Sequence, residues 1–480
     1  MLADIHMHIA KKFFTSLFAL GLSSWAAAQE VWDWNRCLDY ALTNNIQLKL
    51  DAINVALTDL QLKQDKLAFT PLVQAESGYT YALGRTVDMS TYQYVTKPVS
   101  TGNLQVSLSQ PLFEGLKNLQ TLKKSKLDLK AARLDNERLK QDIRLQVMNA
   151  YLNVLNAEEQ LAQAKNQLER TIEQYDVNKT LVEGGALAER MLVDIEAQLA
   201  SDEYNIVALQ QQQDLAYMAL KTVLQLDQSK DIKVLAPAMG EQLQAFPLED
   251  VETIYRDAVA IRPEVESGLL KIESAKKSIK IARSANYPRL SFFSATSVNV
   301  SDQFSETAIT DTIEAPFGYV KNTGEQVWTY YPITSQIFIP FRDQISNNFS
   351  YAFGLNLSIP IYTRRSGYFG AQRGKLALLQ AELNQQNTEY TLYNNIKEAH
   401  LKAAASEQNY KAAQKSLTAS EKSYEYAKER LAGGAISQLE LNLAQNNLFI
   451  AQSRLTQAKY DYLFNVKVLD FYRGKPIDFE

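Results

Sequence analysis

Side chains able to attack a substrate, ligate a metal or move a proton near neutral pH are scarce in this chain. It contains one cysteine, Cys37, and three histidines, His6, His8 and His400. A lone cysteine excludes an internal disulfide framework and a multi-cysteine zinc site. His6 and His8 fall in a segment expected to be removed. Only His400 would remain, too little for a histidine-based acid–base or metal constellation. No GxGxxG, P-loop, HExxH or cysteine–histidine pairing is present, so the sequence reads as a non-enzyme that carries no cofactor. Lys plus Arg number 50 against 54 for Asp plus Glu, a net of −4. Without a basic excess to neutralise a phosphate backbone, nucleic acid is not an expected partner. With 46% hydrophobic and 22% charged residues, the chain is too apolar for disorder.

The elements must therefore carry the function. Lys11-Lys12, the apolar run Phe13 to Leu22 and Ala26-Ala27-Ala28 describe a secretory leader, residues 1–28, cut after Ala28. About ten apolar residues are too few to cross a bilayer of about 30 Å. No later segment offers about 20 uninterrupted apolar residues, so the exported chain is expected to be a soluble periplasmic protein or a β-barrel. Cys37, preceded by Trp34-Asn35-Arg36, reads as a free thiol rather than a lipid anchor.

The chain is written twice. Gly184-Gly185-Ala186-Leu187 recurs as Gly433-Gly434-Ala435-Ile436, displaced by 249 residues, and Tyr175 and Tyr424 keep that offset. Ala41 and Ala258, like Pro71 and Pro288, are displaced by 217. The second copy therefore carries a longer insertion between Pro288 and Pro360. The segments read as a first repeat over 29–225, a link over 226–254, a second repeat over 255–472 and a tail over 473–480. Each repeat reads as helix, strand, strand, long helix, glycine turn, helix. The opening helix is expected from Arg36 to Phe69, closed by Pro71, and its counterpart from Tyr255 to Asn286. The long helices are expected over about 67 and 68 residues, Gly115–Leu181 and Arg364–Leu431, although Gly367, Gly370 and Gly374 weaken the start of the second. At 1.5 Å per residue each would extend about 100 Å. Two shorter helices laid end to end match one long one, which predicts an antiparallel coiled-coil assembly.

Four segments alternate with period two: Val73–Tyr81, Leu104–Ser109, Leu290–Val300 and Phe349–Ile361. Each is apolar or aromatic on one side and polar or small on the other, as a membrane β-barrel requires. A soluble sandwich with one wet face is the other reading of such strands. Four strands cannot close, and an open edge in lipid leaves backbone groups unpaired. Two chains would supply eight strands around a filled lumen; three would supply twelve and a wider bore. The geometry predicts a conduit. A periplasmic coiled-coil scaffold or adaptor without a pore explains the helices but not the strands.

Leu38-x-x-Ala41-Leu42-x-x-Asn45 leading to Pro71, Arg262-Pro263-Glu264 leading to Tyr287-Pro288, and Gly433-Gly434-Ala435-Ile436-Ser437 followed by Leu441-x-x-Ala444-x-x-x-Leu448 resemble the TolC family of outer-membrane efflux channels. The resemblance implies an α+β membrane protein. Its homotrimer would form a twelve-stranded β-barrel, four strands per chain, in the Gram-negative outer membrane, continuous with a long periplasmic α-helical barrel. It implies a periplasmic adaptor and an inner-membrane RND or ABC-type transporter as partners, in drug efflux or type I secretion. By the same resemblance Gly184, Gly185, Ala186, Gly433, Gly434 and Ala435 are the tips that dock the adaptor, while glycine's ease at positive φ explains the pairs equally as tight reversals. The family's aperture acids map to Glu440 and Leu443, and in the first copy to Met191 and Asp194, leaving Asp194 and Glu440 as candidates for a periplasmic aperture or for a solvated outer face. Leu431 and Ile436 stand where the family's closing contacts have an aromatic and an arginine. Residues 303–348, with Phe317, Tyr319, Trp328, Tyr330 and Tyr331, read as a variable extracellular loop. The link and the tail are expected to pack around the waist of the helical barrel.

Overall fold

The computed structural model describes residues 30–87, 92–237, 249–475 and 477. The expected leader 1–28, and Gly240 and Pro247 of the link, lie outside them. In chain order, β1 (Glu30–Trp32) precedes α1 (Trp34–Asn44), α2 (Ile46–Leu67), β2 (Leu72–Ala82), the short β3 (Thr86–Val87) and β4 (Tyr94–Val95), and β5 (Val99–Glu114). Then come α3 (Lys117–Glu183), α4 (Glu189–Leu224) and β6 (Ile232–Val234). The second half runs α5 (Val251–Ile261), α6 (Pro263–Arg283), β7 (Arg289–Ser301), β8 (Ser305–Tyr319), β9 (Gln326–Phe338), α7 (Phe341–Asn347), β10 (Ser350–Ser358), α8 (Ser366–Ala432) and α9 (Gln438–Tyr472).

Both long helices, α3 and α8, are 67 residues. α3 contains neither Gly nor Pro. The glycines near the start of α8 are matched by close helix crossing: a Cβ on Gly374 would stand 2.9 Å from Ile279 Cγ1, and one on Gly370 3.2 Å from Ala282 Cβ. What they lose in helix propensity allows α6 to approach.

The opening helices depart from expectation, because neither is continuous. The first breaks at Asn45, whose ψ is 122°. Its Oδ1 accepts from the backbone N–H of Gln47 at 2.9 Å and of Leu48 at 3.2 Å, so the side chain caps a new helix in place of the old backbone bonds. The second starts earlier, at Val251, and breaks at Arg262, ψ 125°. Pro263 pushes the preceding residue out of the α region and itself takes the first position of α6. A 3-10 turn, Ser284–Asn286, then precedes the strand.

The chain folds as two compact units. The unit built from Thr58–Leu129 and Ile272–Ala381 holds an antiparallel sheet in the order β10-β7-β5-β2. Residues directly opposite in such a ladder share a face. The register Val73↔Leu108↔Ser294↔Phe353 and Ala75↔Val106↔Thr296↔Tyr351 therefore unites the four expected apolar rows on one side. Tyr351, Phe353, Leu355 and Leu357 are 59–68% exposed there. The rows Gln74↔Ser107↔Ala295↔Ala352 and Glu76↔Gln105↔Ser297↔Ser350 form the polar side. Pro111 is tolerated in β5 at a register irregularity, Pro111/Phe113. β10 ends at Ser358, so Ile359 and Ile361, expected to continue it, lie beyond; Pro360 has no N–H for a ladder.

The segment 303–348 is not an irregular loop. β8 and β9 pair from Ser305↔Phe338 to Tyr319↔Gln326, joined by a turn with Gly324 at φ +72°, and α7 leads back to β10. Gln344 of α7 is buried and fixes the base of this hairpin, donating to Ser301 O at 2.8 Å and accepting from Ser301 N at 2.8 Å.

The other unit comprises the described parts of Met1–Leu57, Lys130–Lys271 and Glu382–Glu480. Its larger core gathers Trp32, Trp34, Cys37, Val147, Met148 and Tyr151, with Leu226, Ile232, Phe471 and Ile477 in the same cluster. β1 and β6 pair in parallel within it, a connection not foreseen from the sequence. A second core joins Ile254, Ala258, Val265, Ile396, Ala403 and Leu469. The neighbouring Arg262 guanidinium, 5% exposed, lies 4.2 Å from the Phe471 ring centroid and 2.9 Å from Glu264.

Candidate functional site

Two features of the fold hold the residues singled out by the sequence: the reversals that end the long helices and the one-sided sheet. At the first reversal, Gly185 N donates to Val182 O at 2.9 Å and Ala186 N to Leu181 O at 2.8 Å. At the second, Gly434 N donates to Leu431 O at 2.9 Å and Ala435 N to Arg430 O at 2.8 Å. Both are Schellman closures, in which one left-handed residue satisfies the last carbonyls of the helix. Gly185 at φ +75° and Gly434 at φ +71° supply it. Their partners Gly184 and Gly433 are not left-handed, and a Cβ on Gly433 would meet nothing nearer than 3.7 Å. The left-handed step requires the second glycine of each pair; of the first glycines, Gly433 is unconstrained, while a Cβ on Gly184 would stand 3.3 Å from Thr180 O. Gly184, Gly185, Ala186, Gly433, Gly434 and Ala435 are all exposed.

The helices that rise from these turns start differently. Ser437 caps α9, its Oγ accepting from Glu440 N at 3.3 Å, while Ala188 offers α4 no side-chain cap. Glu440 lies exposed in the first turn of α9, and Asp194 is half-buried in α4. Among the described residues neither carboxylate has an ion-pair partner, and no contact joins the two.

Sequence reasoning missed a polar seam along α9. Gln438, Asn442 and Gln445 are buried, as are Gln167 and Thr171 of α3 and Asp202 of α4. Asp202 accepts from Thr171 Oγ1 at 2.6 Å and Gln198 Nε2 at 2.8 Å, and Gln445 Nε2 donates to Thr171 Oγ1 at 3.5 Å. The signal was present, since residues 438, 442 and 445 are spaced i, i+4, i+7 on one face of α9. Further along α9, Glu159 of α3 gathers Lys459 Nζ and Tyr460 OH, each at 2.9 Å, and Thr456 Oγ1 at 3.2 Å. Glu159, Thr456 and Lys459 line a cleft of about 360 Å³ that Arg170 and Tyr410 also border. Burial and the Glu159 carboxylate hold the Tyr460 hydroxyl well above the usual phenol range.

The sheet supplies a wall. Its polar side carries Glu76, Gln105, Ser297 and Ser350 in one row, its other side the exposed aromatics, and its outer strands β10 and β2 each have one edge without a partner among the described residues. No described helix is long and apolar enough to cross a membrane.

Comparison with known proteins agrees with this geometry. Residues 37–224 and 254–475 match the family model described as outer membrane efflux protein. The chain is 22% identical, over 304 residues, to the alkaline protease secretion protein AprF of Pseudomonas aeruginosa; the alignment covers 63% of this chain and 55% of that protein. The fold is similar to the CmeC outer membrane channel of Campylobacter jejuni, with TM-score 0.71 and 22% identity over 92% of this chain and 85% of that one. It is similar also to the outer membrane protein VceC of Vibrio cholerae (TM-score 0.71, 14% identity, 93% and 97% covered). The open state of the MtrE outer membrane channel of Neisseria gonorrhoeae superposes with TM-score 0.69 at 16% identity, over 93% and 90% of the two chains.

Proposed function

The chain belongs to the outer membrane efflux protein family, and on that premise we propose that it is the exit duct of a tripartite efflux or type I secretion system, conducting substrates passively from a periplasm-spanning complex to the outside. The observation that carries this reading is the four-stranded sheet, apolar and exposed on one side, polar on the other, with both edges open. Such a sheet is stable in lipid only if sister chains complete it. Three copies give twelve strands and a bore wide enough to conduct, with the polar rows lining it. The recurring order of elements and the equal lengths of α3 and α8 support descent of the two halves from one unit.

In this reading the exposed glycine tips dock a periplasmic adaptor, which couples the duct to an inner-membrane RND or ABC-type transporter. Gly433 has no turn requirement of its own and suits close approach by a partner backbone. Asp194 and Glu440, both near those tips in sequence, bias the entrance toward cations. The secretion role in AprF's name favours secretion as strongly as the family's description favours efflux.

The test is membrane fractionation with planar-bilayer recording. The expected outcome is co-fractionation with outer membrane, a trimer in detergent and stepwise conductance that grows when the adaptor is added. A monomer released by salt, with no conductance, overturns the reading in favour of a scaffold.

A further inference from the structure

The two strand-to-helix junctions share a rare backbone. Gly115 and Leu116 between β5 and α3 have φ +60° and +66°; Arg364 and Arg365 between β10 and α8 have φ +52° and +55°. They occupy matching positions, displaced by the same 249 residues as the glycine turns. The first junction meets the left-handed step with a glycine. The second places arginine at both positions, where a Cβ strains the backbone. The geometry of the turn therefore does not select arginine there.

The surroundings leave those charges unanswered. Both side chains are exposed, and neither makes a hydrogen bond or ion pair with another described residue. Between Asp343 and Glu382 the sequence holds Arg364, Arg365, Arg373 and Lys375 and no acid. Exposed aromatics flank the pair: Tyr362, Tyr368 and Phe369 are 78%, 54% and 57% accessible. The pair also stands at the end of the apolar face. β10, Ser350–Ser358, is nine residues of strand, which at about 3.4 Å per residue and a tilt of about 40° covers about 23 Å, close to the height of a barrel's apolar band. Arg364 and Arg365 follow after five residues past the end of the strand, which in the barrel puts them toward the depth where phospholipid phosphates lie and where aromatic and basic residues anchor membrane proteins.

We propose that Arg364 and Arg365 form a headgroup site for anionic phospholipid of the periplasmic leaflet, their guanidinium planes taking the phosphodiester oxygens, with Tyr362, Tyr368 and Phe369 against the glycerol and upper acyl chain. Planar guanidinium donors match phosphate oxygens two at a time, which lysine does not. This inference rests on the membrane-channel reading above.

The experiment is native mass spectrometry of the full-length protein, purified in detergent and titrated with phosphatidylglycerol or phosphatidylcholine. Wild type is expected to retain phosphatidylglycerol preferentially. Each arginine is expected to contribute about fivefold, so Arg364→Gln/Arg365→Gln should bind about twenty-five-fold more weakly. Arg364→Gly/Arg365→Gly is the decisive second variant: it should lose the lipid equally while its thermal midpoint stays the same or rises, because glycine relieves the left-handed strain. Equal retention of the two lipids by wild type, or undiminished phosphatidylglycerol retention in both variants, overturns the proposal. If wild type conducts and fractionates with outer membrane yet shows no lipid preference, the headgroup site falls and the channel stands. If it does neither, both fall.

Discussion

At the scale of residues, the second glycine of each helix reversal is the constrained one. Gly185→Ala or Gly434→Ala should each cost roughly 1–2 kcal/mol, because a Cβ is strained in the left-handed region; thermal unfolding in detergent would register it. Gly433→Leu should leave that midpoint within about 0.5 kcal/mol of wild type, since its Cβ meets only ordinary contacts, and should abolish cross-linking to the adaptor. Retained cross-linking would remove the first glycine from the docking surface. Cys37 supplies a pH prediction. Burial pushes its thiol from an ordinary 9.0 up to about 12, so the neutral thiol is favoured in the folded chain. Its contribution to stability is complete below about pH 9 and is lost as pH rises from about 9 to about 12. Maleimide labelling at pH 8 should be slow when folded and rapid in denaturant. The glycine pairs were legible in the sequence because Gly-Gly repeated at one offset after an uninterrupted helical segment marks a backbone reversal. Asn45 was not, because one asparagine inside an apolar-periodic segment carries no mark that its side chain will cap a new helix.

At the scale of elements, the hairpin β8–β9 lies outside the β10-β7-β5-β2 ladder. Replacing residues 305–338 by a short glycine-rich link should therefore preserve trimer formation and conductance, read by gel mobility and bilayer recording; loss of the trimer would make the hairpin part of the assembly. The polar seam of α9 should be expensive to leave half-satisfied. Thr171→Val strips Asp202 of a 2.6 Å donor and should cost about 1–3 kcal/mol, seen as a lowered thermal midpoint. The 67-residue helices were legible because nothing in α3 interrupts them and the three glycines of α8 are paired with a close crossing. The hairpin was overlooked although Ile309 and Ile313 face Thr334 and Tyr331 across it. Its alternation slips at two bulges, Ile309/Asp311 and Pro316/Gly318, and each slip moves the apolar residues to the other face, which hides a period of two. The breaks at Asn45 and Arg262 show the complementary case, in which a helical pattern continues through a point where a cap or a proline stops the backbone.

At the scale of the whole molecule, the number of copies is written in no single residue; the proposed three come from counting strands against the requirement for closure. Light scattering of the detergent-solubilised protein should give three chains per particle, and a value of one or two would remove the twelve-stranded barrel. The free margins of β2 and β10 also bear on how the protein is made. On the proposed trimeric reading, each chain presents two adhesive borders and a greasy sheet to water until its sisters arrive, the circumstances in which polypeptides clump. On that reading biogenesis is a race between assembly and aggregation, which any factor covering the sheet before assembly would favour. Raising synthesis without raising that cover should fill the periplasm with insoluble protein rather than the membrane with pores.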